Sequence, residues 1–545
     1  DARQRLTSRS VGGEMTSYAY DGVGQLTRVT LPDGSFLAYT YDAAHRLTGI
    51  SDSLGNRIAY TLDAMGNRTQ EQVLDPANQL AQTRSRVYNS LNRLAQEIGA
   101  ASQTTAYSYD NQGNVTAIDG PLAGTVDVTT NAYDALNRLT RVTDPNAGQI
   151  NYGYNGLDQL TAVTDPRSLV TSYSYDGLNN LNQQVSPDTG ATLNSYDAAG
   201  NLLTQTDAKG QVTSYTYDAL NRVTSITYAG NVTHSYTYDQ GSNGKGRLTQ
   251  ITEPNSTTQY AYDPKGRLIT ETRTINAVVY VTNYSYDSAG RLTGMTYPSG
   301  RQVAYTLDSL GRVSQITTTK GTATQTVVSS VAYRPFGPSQ GFTLGNGQTY
   351  TRGFDQDGRI ASYTLGNQSI AVGYDAASRV GFLSDINQPV NSTQYAYDNL
   401  DRLIQATTPA TPYAYAYDAV GNRLSKTVGA ATQTYNYAAT SNRLTQVTGV
   451  GSRSYGYDPN GSTVNDGGNQ FAYDSRGRLI QSVGALGASN YQVNSLGQRI
   501  RKTNVQGDTV YHYDSQGRLI AESSIGGTAQ KEYLYLGDMP VAVIQ

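Results

Sequence analysis

The dipeptide Tyr-Asp recurs along this chain at a nearly fixed interval, and that period constrains the fold more than any other feature. It opens units at Tyr20-Asp21, Tyr41-Asp42, Tyr109-Asp110, Tyr133-Asp134, Tyr175-Asp176, Tyr217-Asp218, Tyr286-Asp287 and Tyr513-Asp514, and again at Tyr196, Tyr238, Tyr262, Tyr374, Tyr397, Tyr417, Tyr457 and Tyr473. Degraded copies stand in register where a unit is missing: Leu62-Asp63, Tyr88-Asn89, Tyr154-Asn155, Leu307-Asp308, Tyr333-Arg334, Phe354-Asp355, Tyr437-Ala438, Val493-Asn494 and Tyr535-Leu536. Of the 24 intervals between these 25 anchors, ten are 21 residues and six are 20. A regular array of one supersecondary unit is therefore expected over residues 1–545, in place of several unrelated globular domains.

Each anchor opens the pattern Tyr-Asp-x-x-Gly-Arg-Leu-Thr, complete at Tyr286–Thr293 with Gly290 and Arg291. An Asp that can accept nearby backbone N–H groups, followed three residues later by Gly, predicts a tight turn whose Gly holds a left-handed conformation. The substitutes for Gly are Asn92, Asn137, Asn179, Asn221, Asn442, Asp158, Asp401 and His45, residue types that tolerate positive φ. Many units carry a second turn, such as Leu31-Pro-Asp-Gly34, before the next anchor. Two short strands per unit follow.

A second Tyr often stands two residues before the anchor, as at Tyr18, Tyr39, Tyr107, Tyr173 and Tyr215, with a small or polar residue between. Residues two apart in a strand share a face, so each strand presents one aromatic and one slim face. The 45 Tyr, against 6 Phe and no Trp, stack into ladders that replace an aliphatic core.

Two strands in each of about 24 units give roughly 48 antiparallel strands and a sheet about 230 Å wide. Open sheets rarely exceed about ten strands, so this one is expected to coil. Its area, on the order of 5,000 Å², matches a shell of radius near 20 Å, with a lumen on the order of 14,000 Å³ that could hold roughly a hundred residues. The expected fold class is all-β: an antiparallel repeat sheet coiled into a hollow shell or spiral.

Composition removes several function classes. With no Cys and only His45, His234 and His512, no thiolate or His-cluster metal site is expected. A net charge of −3 gives no field for nucleic acid, and no apolar run approaches the roughly 20 residues of a membrane span. His234 and Ser235 lie side by side on one strand and point to opposite faces, so they do not form a nucleophile and base. Asp355–Gly358 lacks the further ligands of a calcium loop and reads as a degraded anchor. No catalytic, cofactor-binding or metal-binding residue is assigned. The anchors are read as structural. The rhythm breaks at 317–347, around Tyr333-Arg-Pro-Phe-Gly337, and the modal spacing shifts from 21 before it to 20 after it, so a seam is expected there.

With its Tyr-Asp anchors and Gly-Arg-Leu-Thr continuations, the whole chain resembles the YD or RHS repeat family. That family includes bacterial Rhs polymorphic toxins, the shell component of Tc toxins, wall-associated proteins and teneurins. The resemblance implies a β-sheet cocoon. It implies a non-enzymatic shell that encloses a C-terminal toxin or other guest polypeptide, on a protein secreted or delivered by a bacterial secretion system. It also implies an RHS-associated core, which this stretch is expected to lack together with the toxin. Asp1–Thr7 reads as a repeat without its leading Tyr, and Glu532–Gln545 resembles the approach to that core, so both ends are expected to be cuts in a longer protein. None of the Asp-Pro pairs at Asp75, Asp144, Asp165, Asp263 or Asp458 is given a proteolytic role. The competing implication is a cell-surface adhesion stalk whose Tyr rows bind carbohydrate.

Overall fold

The computed structural model describes residues Asp1–Gln545. It contains 52 strands and no α-helix, with a single 3-10 turn at Pro389–Asn391. Strands pair antiparallel with their sequence neighbours: Phe36–Tyr41 with Leu26–Thr30 behind it and Leu47–Asp52 ahead of it, and so on along the chain. The ladder thins only around Tyr455. There Arg453–Ser454 pairs back with Leu444–Gly449, Gly456–Tyr457 pairs forward with Thr463–Asn465, and the Tyr455 N–H donates to the Thr445 carbonyl at 2.9 Å.

The repeat pattern explains this ribbon locally. Strand Val170–Tyr175 alternates exposed and half-buried positions, with Tyr173 and Tyr175 on the covered side. Each anchor Tyr opposes the residue six positions on, as Tyr286 opposes Leu292, and a bulge lies just before it. A bulge at every anchor adds local twist, which bends a ribbon that would otherwise lie flat.

The turn position after each anchor is left-handed, with φ of 81° at Gly290, 64° at His45 and Asn92, 61° at Asn137, Asp158 and Asp401, 68° at Asn179 and 58° at Asn221. Asn442 departs from the expectation: it is absent from the positive-φ positions. The turn after Tyr437 is one residue longer, with Ala438 N–H donating to the Arg443 carbonyl, and Asn442 points its N–H at the Asp188 carboxylate instead, 2.6 Å away. In Tyr333–Gly337 the left-handed residue is Phe336, at φ 48°, directly after Pro335.

The ribbon coils into laps. Arg291 meets Asp33 at 2.7 Å, Arg334 donates to the Ala81 carbonyl at 2.7 Å, and Tyr297 donates to the Tyr533 carbonyl at 2.8 Å. In these three contacts, as in most contacts between laps, an anchor turn or its flanking strand in the later lap rests on or beside a second turn of the earlier lap. About 23 strands separate Phe36–Tyr41 from Leu292–Thr296. At roughly 4.8 Å per strand that lap has a circumference of about 110 Å and a radius of about 18 Å.

This architecture leaves little interior. Only 43 of 545 residues are buried, and the exposed area is 27,778 Å². A compact globule of this mass exposes about 19,000 Å², so the ribbon keeps both faces largely accessible. The one sizeable apolar cluster joins Tyr284, Met295, Tyr297, Ile316, Val328 and Phe342 to Ile520, Leu534 and Leu536. It sits where the last strands pack on the region 317–347. That region holds the longest strand, Ala323–Tyr333, which slips register twice.

Candidate functional site

The recurring unit of chemistry is the joint between successive repeats. At Asp134, one carboxylate oxygen accepts the N–H groups of Leu136 and Arg138 at 2.9 and 3.0 Å, and the other accepts Arg138 Nε at 2.7 Å. The same guanidinium donates through Nη1 to the Asn155 carbonyl of the next anchor at 3.1 Å and lies 4.9 Å from the Tyr154 ring. One Arg thus fixes its own turn, grips the next turn and covers the next anchor ring.

Asp42 with Arg46 and Asp218 with Arg222 repeat the carboxylate pairing, at 2.7 Å each from Nε. At Asp110 and Asp176 the pairing residue is Asn114 and Asn180, and Asp21 caps three backbone N–H groups. Asp287 pairs with Arg291, and Asp514, 2% exposed, pairs with Arg518. These contacts set the acidity of the turns. The Arg138 guanidinium, and then its backbone N–H, hold the Asp134 carboxyl below its usual range. At Asp42 the Arg46 backbone N–H is the largest contribution in the same direction.

The anchor Tyr closes a gap in the ladder. Pairing between Leu26–Thr30 and Phe36–Tyr41 stops at Arg28 opposite Ala38, which leaves the Leu26 carbonyl without a backbone partner across the strand. Tyr41 Oη donates to that carbonyl at 2.8 Å. Tyr20, Tyr109, Tyr133, Tyr175, Tyr217, Tyr286 and Tyr513 donate in the same way to Leu6, Leu94, Val115, Leu160, Leu202, Leu268 and Arg499, at 2.7 to 3.0 Å. A phenol ring supplies area and its hydroxyl supplies the missing donor, which Phe could not do.

A second cluster, which the periodic reading did not reveal, locks one lap to the next. Arg167, in a second turn, donates to the carbonyls of Ser441 and Ala438 at 2.9 and 2.8 Å and to the Asn442 side chain at 2.8 Å. Arg443 donates to the Asp188 carbonyl at 2.6 Å, and Asn460 donates to Asp207 at 2.6 Å. Asp357 reaches across to the Ala100 N–H at 2.6 Å, so the degraded anchor at Asp355–Gly358 also serves the seam. A polar cavity of about 300 Å³ opens on the same seam, lined by Asp207, Tyr215, Tyr228, Asn460, Arg476 and Ser495 among others. His234 lies nearby, 2% exposed with its ring 5.1 Å from Tyr228, while Ser235 faces solvent on the opposite side of the strand.

Comparison with known proteins places this geometry. The RHS Repeat family profile matches at 1–35, 20–57, 41–77, 88–125, 133–168, 154–191, 196–233, 243–275 and 281–323, more than half of the chain. The Teneurin YD-shell profile matches 349–536. No curated protein sequence matches. Among solved structures, TcdB2-TccC3-Cdc42 superposes with a TM-score of 0.75 at 14% identity, over 97% of this chain and 35% of that one. TcdB2-TccC3 without its hypervariable C-terminal region gives 0.74 at 15%, over 97% and 34%. The Tc holotoxin pore of Photorhabdus luminescens gives 0.73 at 14%, over 97% and 35%. This chain therefore spans about a third of those chains and shares their fold. By its repeats, its joint chemistry and its coiled antiparallel ribbon, the chain belongs to the RHS (YD) repeat family and has that family's β-shell architecture.

Proposed function

We propose that this ribbon is the non-enzymatic wall of a container, and that its partner is a guest polypeptide held inside it before delivery from a bacterial cell. The observation that carries this reading is the exposed area: 27,778 Å² on 545 residues is close to one and a half times the value for a solid protein of this mass. A wall of radius about 18 Å, less about 5 Å for inward side chains, and two laps of roughly 20 Å in height, encloses a volume on the order of 20,000 Å³. At interior packing density that accommodates a guest on the order of a hundred residues. The joint residues at Tyr-Asp-x-x-Gly-Arg are the structural elements of the wall, residues 1–545 act as one array, and 317–347 is the seam where its last strands tuck in. The test is protease protection. A reporter of on the order of a hundred residues fused after Gln545 should survive a protease concentration that digests the free reporter, until the shell is unfolded. Digestion at the rate of the free reporter would refute containment.

The seam cavity supports a second reading. Its polar lining and the rings of Tyr215 and Tyr228 suit a single sugar ring, as a carbohydrate-binding stalk would require. Glycan-array binding that is lost in Tyr228→Ala would favour adhesion over containment.

A further inference from the structure

The two rims of the coiled ribbon differ from the covered seam between its laps in one respect. At the third turn position after each anchor Tyr, the first lap carries Val23, Met65, Leu136, Leu157, Leu178 and Leu220, each between 65% and 76% exposed. In the second lap the same position holds Leu310, Leu400 and Val420, all half-buried. The sequence pattern is unchanged. The difference is that second-lap anchor turns rest on the second turns of the first lap, as at Arg291–Asp33 and Asn442–Asp188.

The opposite rim is built for the same purpose. Second turns of the later lap expose Ile386 at 60%, Val390 at 63%, Val450 at 64%, Leu486 at 92% and Val505 at 81%. Soluble proteins seldom leave rows of large apolar side chains open without a partner for them. One rim therefore offers anchor turns and the other offers second turns, and these are the two surfaces that already pack on each other inside the molecule.

We propose that these rims are the two halves of one interface, and that a second copy of this chain stacks its later-lap second turns onto the first-lap anchor turns, continuing the lap seam between molecules. The contact is heterologous, so it leaves a free rim at each end and extends into open rods. It holds whether or not the lumen contains a guest.

Sedimentation velocity on the full chain tests this. The expected result is association that grows with concentration. Leu157→Asp with Leu178→Asp and Leu220→Asp should abolish it, as should Leu486→Asp with Val505→Asp on the other rim. Mixing the two variant proteins should restore association, but only as capped pairs, because each retains the rim that the other lacks. Leu193→Asp, on an exposed strand position away from both rims, should associate like the unaltered chain. Should a rim variant misfold, hydrogen exchange on the unaltered chain decides the matter: protection of the turns at 134–138, 155–159 and 176–180 should rise with concentration. A sedimentation coefficient or exchange profile independent of concentration would overturn the proposal, and so would association that survives both sets of rim substitutions.

Discussion

The guanidinium of Arg291 stands 2.7 Å from the carboxylate of Asp33 and 2.6 Å from that of Asp287, so one side chain ties its own turn to a turn one lap away. A double-mutant cycle with Arg291→Ala and Asp33→Ala should give a coupling of about 0.5 to 1 kcal/mol, since both side chains are only partly covered. Hydrogen exchange should speed up at 31–35 in Arg291→Ala, and a coupling of zero would show that the laps do not communicate through this pair.

The anchor hydroxyls have a measurable role. Tyr217→Phe removes the donor to the Leu202 carbonyl, 2.9 Å away, and should destabilise by about 0.5 to 1.5 kcal/mol in thermal or denaturant melts. Tyr215→Phe, two residues earlier on the same face and making no such bond, should be close to silent. Equal effects would show that ring area, and not the hydroxyl, is what the anchor contributes.

Gly290 has φ of 81°, and a Cβ there would meet only Arg267, no closer than 3.8 Å. The constraint is therefore in the backbone. Gly290→Val should cost about 1 to 3 kcal/mol while Gly290→Asn changes little, a contrast that melts of the two variants would read directly.

Residues such as Asn92, Asn137 and Asp158 made these turns legible in the sequence, because few residue types tolerate positive φ and each fell at the same phase of the repeat. The Tyr pairs likewise revealed the face that each strand covers. Asn442 shows the limit of phase. Its turn is longer by one residue, and its backbone is directed by Asp188, 254 positions away, which no local pattern encodes. The row from Val23 to Leu220 was silent for the same reason: whether a leucine in that slot is exposed depends on the lap beside it, and laps are set by curvature summed over about 23 strands.

Acid should loosen the end of the ribbon before it melts the turns. His512 lies 4.6 Å from the Tyr280 ring, its Nε2 is 2.8 Å from Ser523 Oγ, and burial, with Arg273 adding to it, pushes its imidazole down to about 4. The unfolded ring titrates near 6.5, so the stability tied to the neutral ring is complete above that pH and is lost as pH falls from 6.5 to 4. The loss amounts to about 3 kcal/mol at most. The anchor carboxyls, lowered from 3.8, release their share only at more acid pH. His512→Gln should flatten the stability profile between pH 6.5 and 4 without moving the acid limb below it; an unchanged slope would remove His512 from the explanation.

The sequence separation between touching laps shortens along the ribbon, from 274 residues between Arg167 and Ser441 to 187 between Arg352 and Met539. Bore is therefore quantised. Each repeat adds two strands, about 10 Å of circumference and about 1.5 Å of radius, while every joint keeps the same bonds. Gain or loss of whole repeats within a lap would widen or narrow the vessel in fixed steps without redesigning any contact between neighbouring strands, so a change of cargo size is open to such a protein through duplication alone.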